Sequence, residues 1–131
     1  MTTDNHGRRI VVGYDGSPAS RAALAHAAER VGEDGRIYIV HAYSLPSDWV
    51  GAANYTDLIG LAQERAQSRL DNIEPESGAD LAAVEWETEL MSGAPAPAIA
   101  RVAEVRGADE IIVGTRGFGR ARALFGSVRC V

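Results

Sequence analysis

The chain has 131 residues, of which 46% are apolar and 24% charged, which suits one domain with a packed core and excludes a disordered or low-complexity polymer. A formal charge of −5 argues against a general nucleic-acid binder, which needs clustered positive charge, so any anion site must be local. All thirteen basic residues are arginine, and without a lysine amine a phosphate-loop NTPase, a protein kinase and a Schiff-base enzyme are excluded as well.

Short β-branched runs alternate with Ala/Leu-rich segments of helical period, the pattern of a parallel sheet covered by helices. "RRIVVGYD" predicts a first strand near residues 8 to 14, apolar at consecutive positions as a strand buried on both faces requires. "GSPAS" then predicts a helix start, with Ser17 as N-cap and Pro18 as first helical residue; Leu24, Ala28 and Val31 form its inner stripe. "GRIYIVHAYS" predicts a second strand over 36 to 43. After the loop "SLPSDWVGAANYT", the recurrence of Leu58, Ala62, Ala66, Leu70 and Ile73 predicts a second helix.

In "AVEWETEL" the residues Val84, Trp86, Thr88 and Leu90 alternate with Glu85, Glu87 and Glu89, so the third strand has one wet face and belongs at a sheet edge. "SGAPAPAIARVAEV" predicts a third helix with prolines in its first turn, where the N–H groups lack helical partners anyway. "ADEIIVG" is the fourth strand. Right-handed crossovers make the whole a single doubly wound α/β domain over residues 1–131.

Ligands of such sheets bind beyond the carboxyl ends of the strands, where strand order reverses. Two strand exits carry suitable residues: Asp15 beside Gly16 in "GYDGS", and the stretch "GTRGFGRARALFGS". Glycine-rich turns expose N–H groups and a helix start adds partial positive charge, a combination that suits phosphate. Each feature also has a structural reading: Asp before Gly is a common turn residue, and Arg116, Arg120 and Arg122 also fit a solvated face.

His41 reads as a packed, hydrogen-bonded histidine, because no second metal-type residue lies at useful spacing. Ser17, Ser127 and Cys130 have no recognisable base, so no catalytic residue is assigned. Trp49 and Tyr55 could cover a ligand or pack on their own domain. A single cysteine, the lack of a signal-like apolar run and the lack of a membrane-length segment predict a cytoplasmic location.

The ordered segments "RRIVVGYDGSPAS", "IYIVHAYS", "MSGAPAPAIARVAE", "GADEIIVGTRGFG" and "FGSV" resemble the universal stress protein family, from about residue 8 to the end. The resemblance implies its nucleotide-binding branch, with a Rossmann-like fold of the adenine nucleotide alpha hydrolase type. It places Asp15 near an adenine and the backbone of Ala42 at the adenine edge. Gly114, Gly117, Gly126 and Ser127 match the family's Gly-x2-Gly-x9-Gly-[Ser/Thr] phosphate motif, with Val128 beside it. Between Gly117 and Gly126 this chain has eight residues where that pattern has nine.

Family members also continue through a helix and a fifth strand, so this chain is expected to lack that strand and to leave the fourth as an uncovered, self-associating edge. The reading that follows is a stress-response regulator binding ATP or AMP, with or without Mg²⁺, Arg116 and Ser127 assisting the glycine loop, and acting as a homodimer. Two others stay open: a universal stress protein that binds no nucleotide and works as a dimeric interaction module, and a weak ATP-hydrolysing or adenylating enzyme.

Overall fold

The computed structural model describes residues 7–44, 51, 54–114 and, by backbone alone, 128–130. The chain runs β1 (Arg9–Gly13), α1 (Pro18–Arg30), β2 (Arg36–Tyr43), α2 (Tyr55–Asp71), α3 (Ile73–Leu81), β3 (Glu85–Ser92), α4 (Pro95–Arg106), β4 (Glu110–Val113) and β5 (Val128–Cys130). The strands form one parallel sheet in the order β3-β2-β1-β4-β5. This is the doubly wound α/β architecture that the alternation of patterns predicts.

The central strands have apolar side chains on both faces because helices lie on both. Ile10, Val12, Ile37, Ile39 and Ile112 pack with Leu24 of α1, Leu70 of α2, and Ile73 and Leu81 of α3. On the opposite face Val11, Tyr38, Val40, Ile111 and Val113 pack with Ile99, Val102 and Ala103 of α4. Burying side chains of this size contributes roughly 1.5–3 kcal/mol each against exposure, before conformational entropy is subtracted. β3 lies at the edge, as its alternation requires: Trp86 and Leu90 lean on the first cluster, while Glu85, Glu87 and Glu89 stand on the other face and bind Arg36 and Arg106.

The single helix expected over residues 58 to 73 is two helices. α2 ends at Asn72, and α3 carries Pro75 in its first turn. Pro75 has no N–H to donate to the Asp71 carbonyl and its ring would collide with that carbonyl, so α2 cannot run through it. A fresh first turn tolerates the same proline, and Ile73, Ser77 and Leu81 then face inward at four-residue intervals.

The expectation that a fifth strand is missing and β4 is an edge is also corrected. Val128–Cys130 pairs in parallel with Ile111, Ile112 and Val113. A parallel connection needs about a dozen residues or more, and the stretch from Gly114 to Ser127 supplies them. A three-residue strand suffices to cap β4.

Candidate functional site

The strand order places the reversal between β1 and β4, since the chain leaves β1 toward β2 and β3 and later returns to its other side. A cleft of about 420 Å³ lies there, lined by Gly13, Asp15, Ser17, Pro18, Ala19, Ser20 and Gly114. Two of the sequence candidates, Asp15 and Gly114, thus share one cleft although 99 positions separate them in the chain.

The turn from β1 into α1 is held from several elements. Gly16 has φ +81°, a left-handed conformation that a residue with Cβ adopts at a cost. The Ser17 N–H donates to Asp15 Oδ1 at 2.9 Å, and Ser17 Oγ accepts the Ser20 N–H at 3.2 Å as the helix N-cap. Three successive carbonyls are then bound by side chains from three elements. His41 Nδ1 of β2 donates to Tyr14 O at 2.8 Å, Arg69 Nη1 of α2 to Asp15 O at 2.8 Å, and Arg21 Nη1 of α1 to Gly16 O at 2.6 Å. A carbonyl only accepts, so Nδ1 of His41 carries a proton and Nε2 is an acceptor in the neutral ring.

Electrostatics follow from this geometry. Burial pushes the Asp15 carboxyl up, but the Ser17 hydroxyl and N–H, Ser20 and the charge of Arg69 outweigh it, and its pKa lies below the usual value. The Tyr14 phenol is raised, first by burial and then by Glu76, whose Oε1 accepts its O–H at 3.4 Å.

The start of α1 offers little to a phosphate. Its Ser17 and Ser20 hydroxyls are engaged with each other and with the Ser17 carbonyl, Pro18 has no N–H, and the Ser20 N–H is capped. The described part of the cleft therefore suits groups that donate to a carboxylate, such as a ribose hydroxyl or an exocyclic amine.

Gly114 itself sits tightly on α1: a Cβ there would lie 2.8 Å from Ala19 Cβ and 3.0 Å from the Ala19 carbonyl carbon. Gly13 and Val40 are in register, which sets Asp15 and Ala42 two residues further along neighbouring strands; Ala42 nevertheless does not line this cleft. Val128 is the first residue of β5. Arg116, Gly117, Gly126 and Ser127, like Trp49, lie outside the described residues.

His41 is packed and hydrogen-bonded, as read from its strand position, and is 8% exposed. No pattern in the sequence singles out Arg69, because its contact with Asp15 spans 54 positions and nothing local announces it. Among the described residues no three His, Cys, Asp or Glu side chains converge as metal ligands, and no helix is long and apolar enough to cross a membrane.

Residues 7–129 match the Universal stress protein family. A Thermus aquaticus protein described as a universal stress protein in the QAH/OAS sulfhydrylase 3' region is 34% identical over 119 residues, covering 90% of this chain and 84% of that one. Among solved structures, hypothetical protein MJ0577 superposes with a TM-score of 0.75 at 20% identity, covering 95% of this chain and 94% of that one. A universal stress protein in complex with cAMP superposes with a TM-score of 0.59 at 24% identity, covering 96% and 97% of the two chains. An Arabidopsis thaliana universal stress protein family protein with AMP bound gives 0.64 at 15%, covering 95% and 90%.

Proposed function

From the premise that the chain belongs to the universal stress protein family, we propose that it binds an adenine nucleotide, ATP or AMP, and acts as a regulator in the stress response rather than as an enzyme. The observation that carries this reading is the 420 Å³ cleft at the strand-order reversal, with Asp15 and Gly114 on its walls. Two proteins of the same fold with AMP or cAMP bound support it. In this reading the Asp15 carboxylate accepts from the base or ribose, and the Ala42 backbone reads the base edge. Gly114, Gly117, Gly126, Ser127, Val128 and Arg116 surround the phosphates, with Mg²⁺ where the nucleotide carries it.

The absence of lysine assigns phosphate neutralisation to backbone N–H groups, arginine and the metal. The depressed pKa of Asp15 keeps it an acceptor at neutral pH, which favours donors on the ligand and repels a phosphate placed on its side of the cleft.

The test is the thermal unfolding midpoint of the 131-residue chain with saturating Mg-ATP, AMP, cAMP or GTP. At about 100 times its dissociation constant a ligand adds roughly 2.7 kcal/mol, several degrees for a domain of this size. The expected result is a shift with adenine nucleotides that is larger than with GTP and is reduced in Asp15→Ala. No shift with any nucleotide, in folded protein, favours the interaction module instead. Steady conversion of ATP to ADP or AMP, lost in the same variant, would overturn the non-enzymatic reading.

A further inference from the structure

A second cleft, of about 230 Å³, opens between α2 and the carboxyl end of β2. Among the described residues its walls are His41, Tyr43 and Ser44 from the strand side and Leu61, Ala62, Arg65, Ala66 and Arg69 from the helix, none of them acidic. We propose that this cleft binds a small organic anion, with Arg65 and Arg69 holding a phosphate or carboxylate head and Leu61, Ala62 and Ala66 covering a short apolar body.

Residues four apart on a helix are neighbours, and two like charges at that spacing destabilise it by a few tenths of a kcal/mol unless an opposite charge joins them. Arg8 and Arg30 meet Glu110, and Arg36 and Arg106 meet Glu85, Glu87 and Glu89. Among the described residues Arg65 makes no such pair, and Arg69 is close enough to Asp15 for its charge to lower that carboxyl but forms no direct ion pair, in a chain with 18 acidic residues against 13 basic ones. The direct counter-charge that Arg65 lacks, beside a second guanidinium one turn away, is what an anionic ligand supplies.

The cleft is also preorganised. Arg69 is not a free surface side chain, since its Nη1 donates to the Asp15 carbonyl at 2.8 Å. A guanidinium has five N–H donors in a fixed fork, so one bond to that carbonyl fixes its plane and leaves donors for an anion. His41 is fixed likewise, its Nδ1 donating to the Tyr14 carbonyl at 2.8 Å. The hydroxyls of Tyr43 and Ser44 add donors at the same rim.

One wall of the cleft is apolar. Leu61 is 43% exposed, one of only two large apolar side chains so exposed among the described residues, and it stands at this cleft. A ligand with a ring or short chain beside its anionic head would cover it, whereas inorganic phosphate would not. The size agrees with a single-ring compound rather than a nucleotide triphosphate.

This inference is independent of nucleotide binding at the β1–β4 reversal. The experiment is calorimetric titration of the full chain with phenyl phosphate, benzoate, inorganic phosphate and the uncharged benzyl alcohol. Phenyl phosphate or benzoate is expected to bind more tightly than either inorganic phosphate or benzyl alcohol, and which of the two is tighter identifies the head group. Arg65→Gln, a substitution at an exposed residue, is expected to weaken binding about tenfold or more, the usual effect of losing a hydrogen bond to a charged group. Ala62→Glu, which puts a carboxylate into the cleft, is expected to abolish it. Saturating AMP is expected to leave phenyl phosphate bound. No binding by either organic anion, equal affinity in folded Arg65→Gln, or displacement of phenyl phosphate by AMP would overturn the proposal of a separate anion site.

Discussion

At Asp15 one carboxylate serves the fold and is available to a ligand, and pH separates the two uses. Its pKa is lowered in the folded chain, so the unfolded chain binds its proton first as pH falls. The stabilisation it provides is therefore present above the ordinary aspartate value and disappears below about pH 4 as the folded carboxyl titrates. Urea unfolding of wild type and Asp15→Asn is expected to show a difference at pH 7 that shrinks toward pH 3; a difference constant with pH would contradict the assignment. Gly114 is a different case, since nothing is titrated and the constraint is steric. Gly114→Ala is expected to cost about 1–3 kcal/mol by overpacking, because the atoms met at 2.8 and 3.0 Å belong to the Cβ and backbone of Ala19 and not to a flexible tip. Both residues were visible in the sequence as strand-exit residues, whereas Arg69 was not. Its role depends on α2 packing beside β2 so that the Arg69 side chain reaches the Asp15 carbonyl, a tertiary fact that no local spacing encodes.

Single elements show why most of the fold was legible and where legibility stopped. Ser17 and Pro18 announce the start of α1 through local chemistry, a side-chain oxygen for an orphan N–H and a ring with the right φ; the bond from Ser20 N to Ser17 Oγ realises it. Ser17→Ala is expected to lower stability by about 1 kcal/mol in chemical denaturation, and no change would mean the cap is redundant. β3 was legible for an equally local reason, its period-two alternation. α3 was not, because Pro75 interrupts the helical run that precedes it and Gly78 disfavours a helix interior, and the docking of Ile73 and Leu81 on the first cluster stabilises the new helix. β5 failed the reading for the opposite reason. Three residues carry too little pattern to signal a strand, and pairing with the buried Ile111, Ile112 and Val113 makes them one.

For the whole molecule, the two edges of the sheet are unlike, and that asymmetry decides how copies could associate. β3 has eight residues and would be a long template, but Glu85, Glu87 and Glu89 charge it, the usual protection against edge pairing. β5 has three, and among the described residues nothing pairs with its outer side. A molecule with one receptive edge closes on itself as a two-fold dimer, because the same surface serves both copies, whereas two receptive edges permit open-ended growth. The wild-type chain is therefore expected to reach a discrete, concentration-dependent dimer. Glu85→Val/Glu87→Val, which unmasks β3, is expected to continue past the dimer into larger species. Light scattering coupled to gel filtration reads both outcomes. A wild-type monomer at every concentration would remove β5 as an association edge, and a double variant that stops at the dimer would show that the glutamates of β3 serve Arg36 and Arg106 rather than guarding the edge.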